Sequence, residues 1–160
     1  MDQVKVFAPA TIANVACGFD VLGLALDYPG DEVLIKKTDS KQIIITACHN
    51  AENLPLEADK NVAGVAVKAL LDKLGSDQGF EIELTKGVKP GSGIGSSAAS
   101  SAAAVIAVNH LLGEPFTRKE LVEFAMQGEK CATGVAHADN VAPSICGGFT
   151  LVRSYEPLDV

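Results

Sequence analysis

The sequence predicts an α+β domain with helices on one face of a mixed, mainly antiparallel sheet. Three observations carry that prediction. Residues 79–85 alternate Phe80, Ile82 and Leu84 with Glu81 and Glu83, the pattern of a half-buried strand, and several other short β-rich runs surround it. The alanine-rich stretch from Ser96 to Leu112 is too long for a usual strand and built from the best helix former. Finally, 48% hydrophobic residues in a chain of 160 are enough for one packed core. With no Trp, that core is expected to be mainly Ala, Val, Ile and Leu.

The elements follow in order. Val4, Val6 and Ala8 alternate with Lys5 and Phe7, and Pro9 is expected to end this first strand. Residues 31–37 and 41–47 are β-rich, and Asp39-Ser40 between them predicts a hairpin. From 61 to 74, apolar residues at 62, 65, 66, 69, 70 and 74 have helical spacing, with Asp59 or Asn61 as the cap and Gly75 as the stop. After the strand at 79–85 and the helix ending before Gly113, Thr117 and Glu120 form a capping box for a helix carrying Leu121, Phe124 and Ala125 on one face. Gly147-Gly148 introduces a last strand at 149–153. No repeat or linker interrupts the chain.

A net charge of −7 argues against a nucleic-acid surface, which needs Lys and Arg, but it permits a nucleotide pocket lined by backbone amides. Cys17, Cys48, Cys131 and Cys146 are scattered, without metal-ligand spacing, and read as reduced thiols. The first seven residues lack the long apolar run of a leader, and no stretch reaches the roughly 20 apolar residues of a membrane span. A cytoplasmic protein is expected.

The most informative segment is Lys89-Pro90-Gly91-Ser92-Gly93-Ile94-Gly95-Ser96-Ser97. Glycines at alternate positions allow positive φ and close backbone approach to a ligand. Serines then open a strong helix whose first amides lack internal partners, so an anion there meets N–H groups, hydroxyls and the positive end of the helix dipole. The plainer reading is a glycine-rich turn into a buried helix. Four serines among residues 96 to 101 argue against it, because serine is a poor start for a purely buried helix. A P-loop would need Lys where Ser96 stands, a dinucleotide fingerprint would need Gly there, and Gly-x-Ser-x-Gly does not occur.

Residues 90–98 (PGSGIGSSA) do resemble the phosphate-binding motif of the GHMP small-molecule kinases, offset by one residue at the proline and with Ile94 for Leu. Residues 8–23 (APATIANVACGFDVLG) look like the first signature of the homoserine kinase branch, although Val15, Ala16 and Cys17 depart from its commoner Leu-Gly-Pro. Residues 128–148 (GEKCATGVAHADNVAPSICGG) are similar to a third family segment. Mevalonate and galactose kinases carry a catalytic Lys where Thr11 stands and a catalytic Asp where Asn140 stands, and the homoserine kinase branch lacks both. Read without the resemblance, Asn14, Asp20, Glu129 and His137 are ordinary turn or surface residues.

The resemblance implies a ribosomal-protein-S5-domain-2-like fold over residues 1–160, forming the amino-terminal ATP-binding domain, with a carboxy-terminal half absent from this chain. It implies γ-phosphoryl transfer from ATP to L-homoserine, a step in threonine biosynthesis. ATP would be held by the loop from Lys89 to Ser97, with Asn61 and Val62 near the adenine. Ser97 and Glu129 would hold Mg²⁺, Asn140 would orient the attacking hydroxyl, and Asn14, Asp20, His137 and Asp139 would take the amino acid. The isolated half is expected to bind nucleotide weakly without turnover, and to expose an apolar face able to drive homodimer formation. A non-catalytic nucleotide-binding module, or a kinase for another small alcohol, is the alternative.

Overall fold

The computed structural model describes residues 2–160. Its main sheet holds β1 (Gln3–Val15), β2 (Gly18–Thr38), β3 (Ile43–His49), β4 (Gly79–Thr85) and β5 (Phe149–Leu151), in the order β1-β2-β4-β3 with β5 also paired to β2. The helices are α1 (Val62–Leu74), α2 (Ser96–Leu111), α3 (Arg118–Thr133) and the short α4 (Val141–Cys146). A single 3-10 turn at Ala58–Lys60 precedes α1, and β6 (Ser154–Tyr155) with β7 (Leu158–Asp159) forms a separate small ribbon. β3 and β4 are parallel and the other pairs antiparallel, so the sheet is mixed and mainly antiparallel as the sequence predicts. No helix among the described residues is long and apolar enough to cross a membrane.

Two expectations are corrected. The runs at 31–37 and 41–47 are strands, but they do not form a hairpin, because β4 lies between them. The chain leaves β2 at the Asp39-Ser40 turn, crosses to the sheet edge as β3, and returns through α1 to pair β4 in parallel. Parallel neighbours require such a crossover. The inward pairs Val33↔Leu84 and Ile35↔Ile82 show what β4 gains beside β2, since all four side chains are fully or almost fully buried. Nor does Pro9 end the first strand. It faces Gly30 next to a register shift between Pro9 and Thr11, and proline is tolerated at such irregularities. β1 and β2 therefore run on as two arms to a tip between Val15 and Gly18, where read alone the sequence offers only the turn residues Asn14 and Asp20.

The core lies on one side of the sheet. Ala8, Val33, Ile35, Ile45, Phe80, Ile82 and Leu84 face the helices and are buried. The opposite face is wet, carrying Lys5–Glu32, Lys36–Glu81 and His49–Glu83 pairs with exposed side chains. Helix α2 is central, with 13 of its 16 residues buried between β1 and β2 on one side and α1 and α3 on the other. A helix with small or apolar residues on every side suits this central position. α1 starts at the Asn61 cap, whose side chain accepts from the Ala63 amide, and stops at Gly75 in the left-handed region.

α3 carries the predicted capping box. The Glu120 amide donates to Thr117 Oγ1, and Glu120 Oε2 accepts from the Thr117 amide at 2.8 Å. Thr117→Ala is expected to cost about 1 kcal/mol. At roughly 2–4 °C per kcal/mol for a domain of this size, a small drop in the thermal melt would report it, and an unchanged melt would show the cap idle.

Candidate active site

Three segments far apart in sequence converge on one cleft of about 520 Å³. The glycine-serine loop forms one wall, the ends of α1 and α3 the other, and the β1–β2 arms and α4 close the far end. Gly91, Gly93 and Gly95 have φ of 76°, 78° and 69°, so the alternating glycines are used for left-handed backbone. A Cβ on Gly91 or Gly93 would meet open space, whereas one on Gly95 would lie 2.1 Å from Thr11 Oγ1 and 3.1 Å from Asn140 Oδ1.

Gly95 is the N-cap of α2 and offers no side chain, so the first amides of that helix are left to a ligand. The loop is tied to β1 by the Thr11 amide, which donates to the Ile94 carbonyl at 3.1 Å. Thr11 Oγ1 donates to Asn140 Oδ1 at 2.8 Å and so fixes the orientation of that amide at the head of α4. The Ser96 hydroxyl turns inward and donates to the Val88 carbonyl at 2.8 Å.

Glu129 reaches the cleft from the last turns of α3. Its residue is 8% exposed, and its Oε1 is buried with no hydrogen-bond partner among the described residues. Burial pushes its carboxyl above the usual range, against the opposing effect of the Ser97 hydroxyl beside it. An orphaned buried carboxylate oxygen next to a hydroxyl and a free helix N-terminus is a set of hard oxygen donors that suits a divalent cation shared with phosphate.

Beneath the loop lies a pair that sequence reading did not single out. Lys86 and Asp31 are buried, 5% and 1% exposed, and joined as an ion pair. Burial lowers the Lys86 pKa, with the Asp31 charge opposing. The apolar end of the cleft is made by Leu54, Pro55, Val62 and Ala132, and the Asn61 side-chain Nδ2 donates to the Pro55 carbonyl at 2.8 Å.

At the other end Asn14 Oδ1 accepts from the Asp20 amide at 2.9 Å, and Asp20 Oδ1 lies 3.6 Å from His137 Nδ1. Asn14 and Asp20 both hold left-handed backbone, φ 58° and 60°. The Tyr155 hydroxyl accepts from the Ala138 amide and donates to the Asp20 carbonyl, tying the two segments together. Asp139 is buried, which raises its carboxyl pKa, while the Asn140 amide donating to it acts the other way.

Residues 61–148 match the family model described as GHMP kinases N terminal domain. The chain belongs to the GHMP kinase family. The homoserine kinase of Chloroherpeton thalassium is 50% identical across the whole of this chain, which spans 54% of that relative's length. The crystal structure of homoserine kinase from Cytophaga hutchinsonii is 56% identical with a TM-score of 0.94, over 99% of this chain and 51% of that one. The Methanococcus jannaschii mevalonate kinase structure, 21% identical with a TM-score of 0.72 over 92% of this chain and 52% of that one, shares the fold. This GHMP kinase chain thus spans about half the length of the relatives it matches.

Of the residues singled out from the sequence, Asn14, Asn61, Val62, Pro90, Gly91, Gly93, Gly95, Ser96, Ser97, Glu129 and Asn140 line the one cleft. Lys89 borders a second hollow, with Asn50 and Glu52. Ser92 closes a turn onto the Lys89 carbonyl, and Ile94 faces β1 through its carbonyl. Asp20, His137 and Asp139 gather just beyond the Asn14 and Asn140 end of the GHMP kinase cleft.

Proposed function

We propose that residues 1–160 form the nucleotide-binding half of an ATP-dependent kinase that phosphorylates the hydroxyl of L-homoserine. The observation that carries this reading is the uncapped N-terminus of α2, fed by left-handed glycines and faced by the unpartnered Glu129 Oε1. A nucleotide fits the cleft in size and in polarity, with its base in the apolar end by Leu54, Pro55 and Val62 and its phosphates at the loop amides. The names of the 50% and 56% identical relatives support homoserine as acceptor.

Each side chain then has a task. Ser97 and Glu129 would hold Mg²⁺, which when bound neutralises phosphate charge during transfer. Asn140, locked by Thr11, orients the acceptor hydroxyl in line with the phosphate. The Asp20 carboxylate suits the substrate ammonium, with Asn14, His137 and Asp139 completing that end. Thr11 and Asn140 are neutral, and Lys86 is paired to Asp31. That supports a transfer in which the acceptor proton leaves late, with positioning and charge neutralisation supplying most of the rate.

The test uses the 160-residue chain and a fusion of it to the carboxy-terminal half of the Cytophaga hutchinsonii enzyme. Calorimetry on the chain is expected to show magnesium-dependent ATP binding. The fusion is expected to phosphorylate homoserine and neither mevalonate nor galactose. ATP binding with no turnover of any alcohol would leave a nucleotide-binding module, and no ATP binding by either protein would sink the reading.

A further inference from the structure

We infer that Asp31 and Lys86 act as a clamp that holds the glycine-serine loop in its phosphate-binding shape, a positioning role that rests on the nucleotide reading above. The loop runs from Gly87 at the end of β4 to Gly95 at the start of α2. Its one internal backbone bond is the turn from Ser92 to Lys89, and its glycines impose no conformation of their own. Apart from the tie between the Ile94 carbonyl and the Thr11 amide just before its exit, what shapes it must therefore act at its two ends.

Both ends converge on the buried pair. Asp31 Oδ1 accepts from the Gly87 and Val88 amides, each at 3.0 Å, which fixes the entry to the loop. Asp31 Oδ2 accepts from Lys86 Nζ and, at 2.7 Å, from the Ser100 hydroxyl on α2. Lys86 Nζ also donates to the Ser96 carbonyl and to Ser100 Oγ, both at 2.8 Å, which fixes the exit. Ser96 Oγ closes the ring by donating to the Val88 carbonyl. The three ammonium donors and both carboxylate oxygens are thus all engaged, and every partner belongs to the loop's entry, the first turn and a half of α2, or the pair itself.

A buried ion pair used only for stability would have no reason to address the two termini of one loop. Burying two charges costs more than an apolar pair of the same volume unless the geometry does something further. Here it sets the spacing between the end of β4 and the head of α2, and with it the direction of the free amides.

The experiment compares ATP with adenosine. Ser100→Ala is the mild variant, and the double variant Asp31→Asn with Lys86→Met removes the charges together so that neither is left buried alone. On the 160-residue chain, calorimetry gives the affinity for MgATP and for adenosine, and amide hydrogen exchange reads residues 87–97 against the α1 and α3 core. The double variant is expected to lose roughly tenfold or more of the preference for ATP over adenosine, as the loss of one or two charge-assisted contacts would give. Adenosine affinity is expected to change by less than about twofold on the same scale. Loop amides should exchange faster while core amides do not, with Ser100→Ala between wild type and double.

An unchanged ATP-to-adenosine ratio, or an equal loss for both ligands, would overturn the clamp and leave a merely structural pair. If the wild-type chain fails to prefer ATP over adenosine, it is the phosphate reading that fails. Loop exchange without nucleotide then decides the clamp: faster exchange confined to 87–97 upholds it, and unchanged exchange overturns it. Should the double variant not fold, Ser100→Ala carries the same two readouts.

Discussion

Glu129→Gln is expected to make the ligand-free protein more stable and its nucleotide binding insensitive to magnesium. The wild-type carboxylate is buried, and Oε1 has no hydrogen-bond partner, so the folded state carries an uncompensated polar atom. Such a group costs about 1–3 kcal/mol. The amide is nearly the same size and still polar, but it carries no charge, so the part of the cost that comes from burying a charge is removed and a higher melting temperature than wild type is expected. The same change deletes the charged oxygen donor proposed for the cation. Melts with and without MgATP separate the two effects. The wild type should gain stability from magnesium over ATP alone, and the variant should not. A variant that melts lower than wild type in the absence of ligand would show that Glu129 is satisfied by something else and that the cation reading lacks its main support.

Gly95→Ala is expected to destabilise the domain and disable the loop together. At φ 69° an alanine costs about 1–2 kcal/mol from backbone alone. Its Cβ would in addition sit 2.1 Å from Thr11 Oγ1, which cannot yield without breaking the bond to Asn140. A total of about 3 kcal/mol or more follows, close to half the stability of a marginal domain. Gly93→Ala is the control, because its Cβ would enter open space and only the backbone term applies. Adding Thr11→Ala to Gly95→Ala should recover part of the loss, since the contacts left are then Asn140 Oδ1 at 3.1 Å and the residue 11 Cβ at 3.4 Å. Denaturant midpoints for wild type, Thr11→Ala, Gly95→Ala and the double variant close the cycle and give the coupling, with Gly93→Ala as the control beside it. Equal losses for the Gly93 and Gly95 variants would mean that the Thr11 contact relaxes freely.

Much of this was legible in the residues. The 3.6-residue spacing in 62–74, the Thr117–Glu120 box and the alternation in 79–85 each gave the element found. The glycine-serine motif gave the cleft, because its chemistry is local: left-handed glycines, then a helix start. Pairing partners were less legible. The β-rich run in 41–47 says strand but not which neighbour, and the Asp39-Ser40 turn suited a hairpin as well as a crossover. The length of the β1–β2 arms was hidden by Pro9 and by the polar residues of 10–20, which the structure uses at a bulge and a tip. α4 was missed because six residues with a proline give no period.

The Lys86–Asp31 pair had a signal that went unread. Extending the inward positions Phe80, Ile82 and Leu84 by one step reaches Lys86, and stepping back from Ile35 and Val33 reaches Asp31. Opposite charges at the inward register of two strands announce a buried pair. The register that pairs Glu32 with Thr85 brings them side by side.

The loop is completed by Thr11, Asp31 and Asn140, so its closure joins positions separated by most of the chain. Contacts of such high sequence separation form late in folding, after the loop-closure entropy of the intervening chain has been met. A peptide spanning β4 to α2 would own every glycine and serine of the motif and still lack the cradle. On the proposed nucleotide reading, phosphate recognition would report complete folding, and a nucleotide analogue added during refolding is expected to bind only in the last phase.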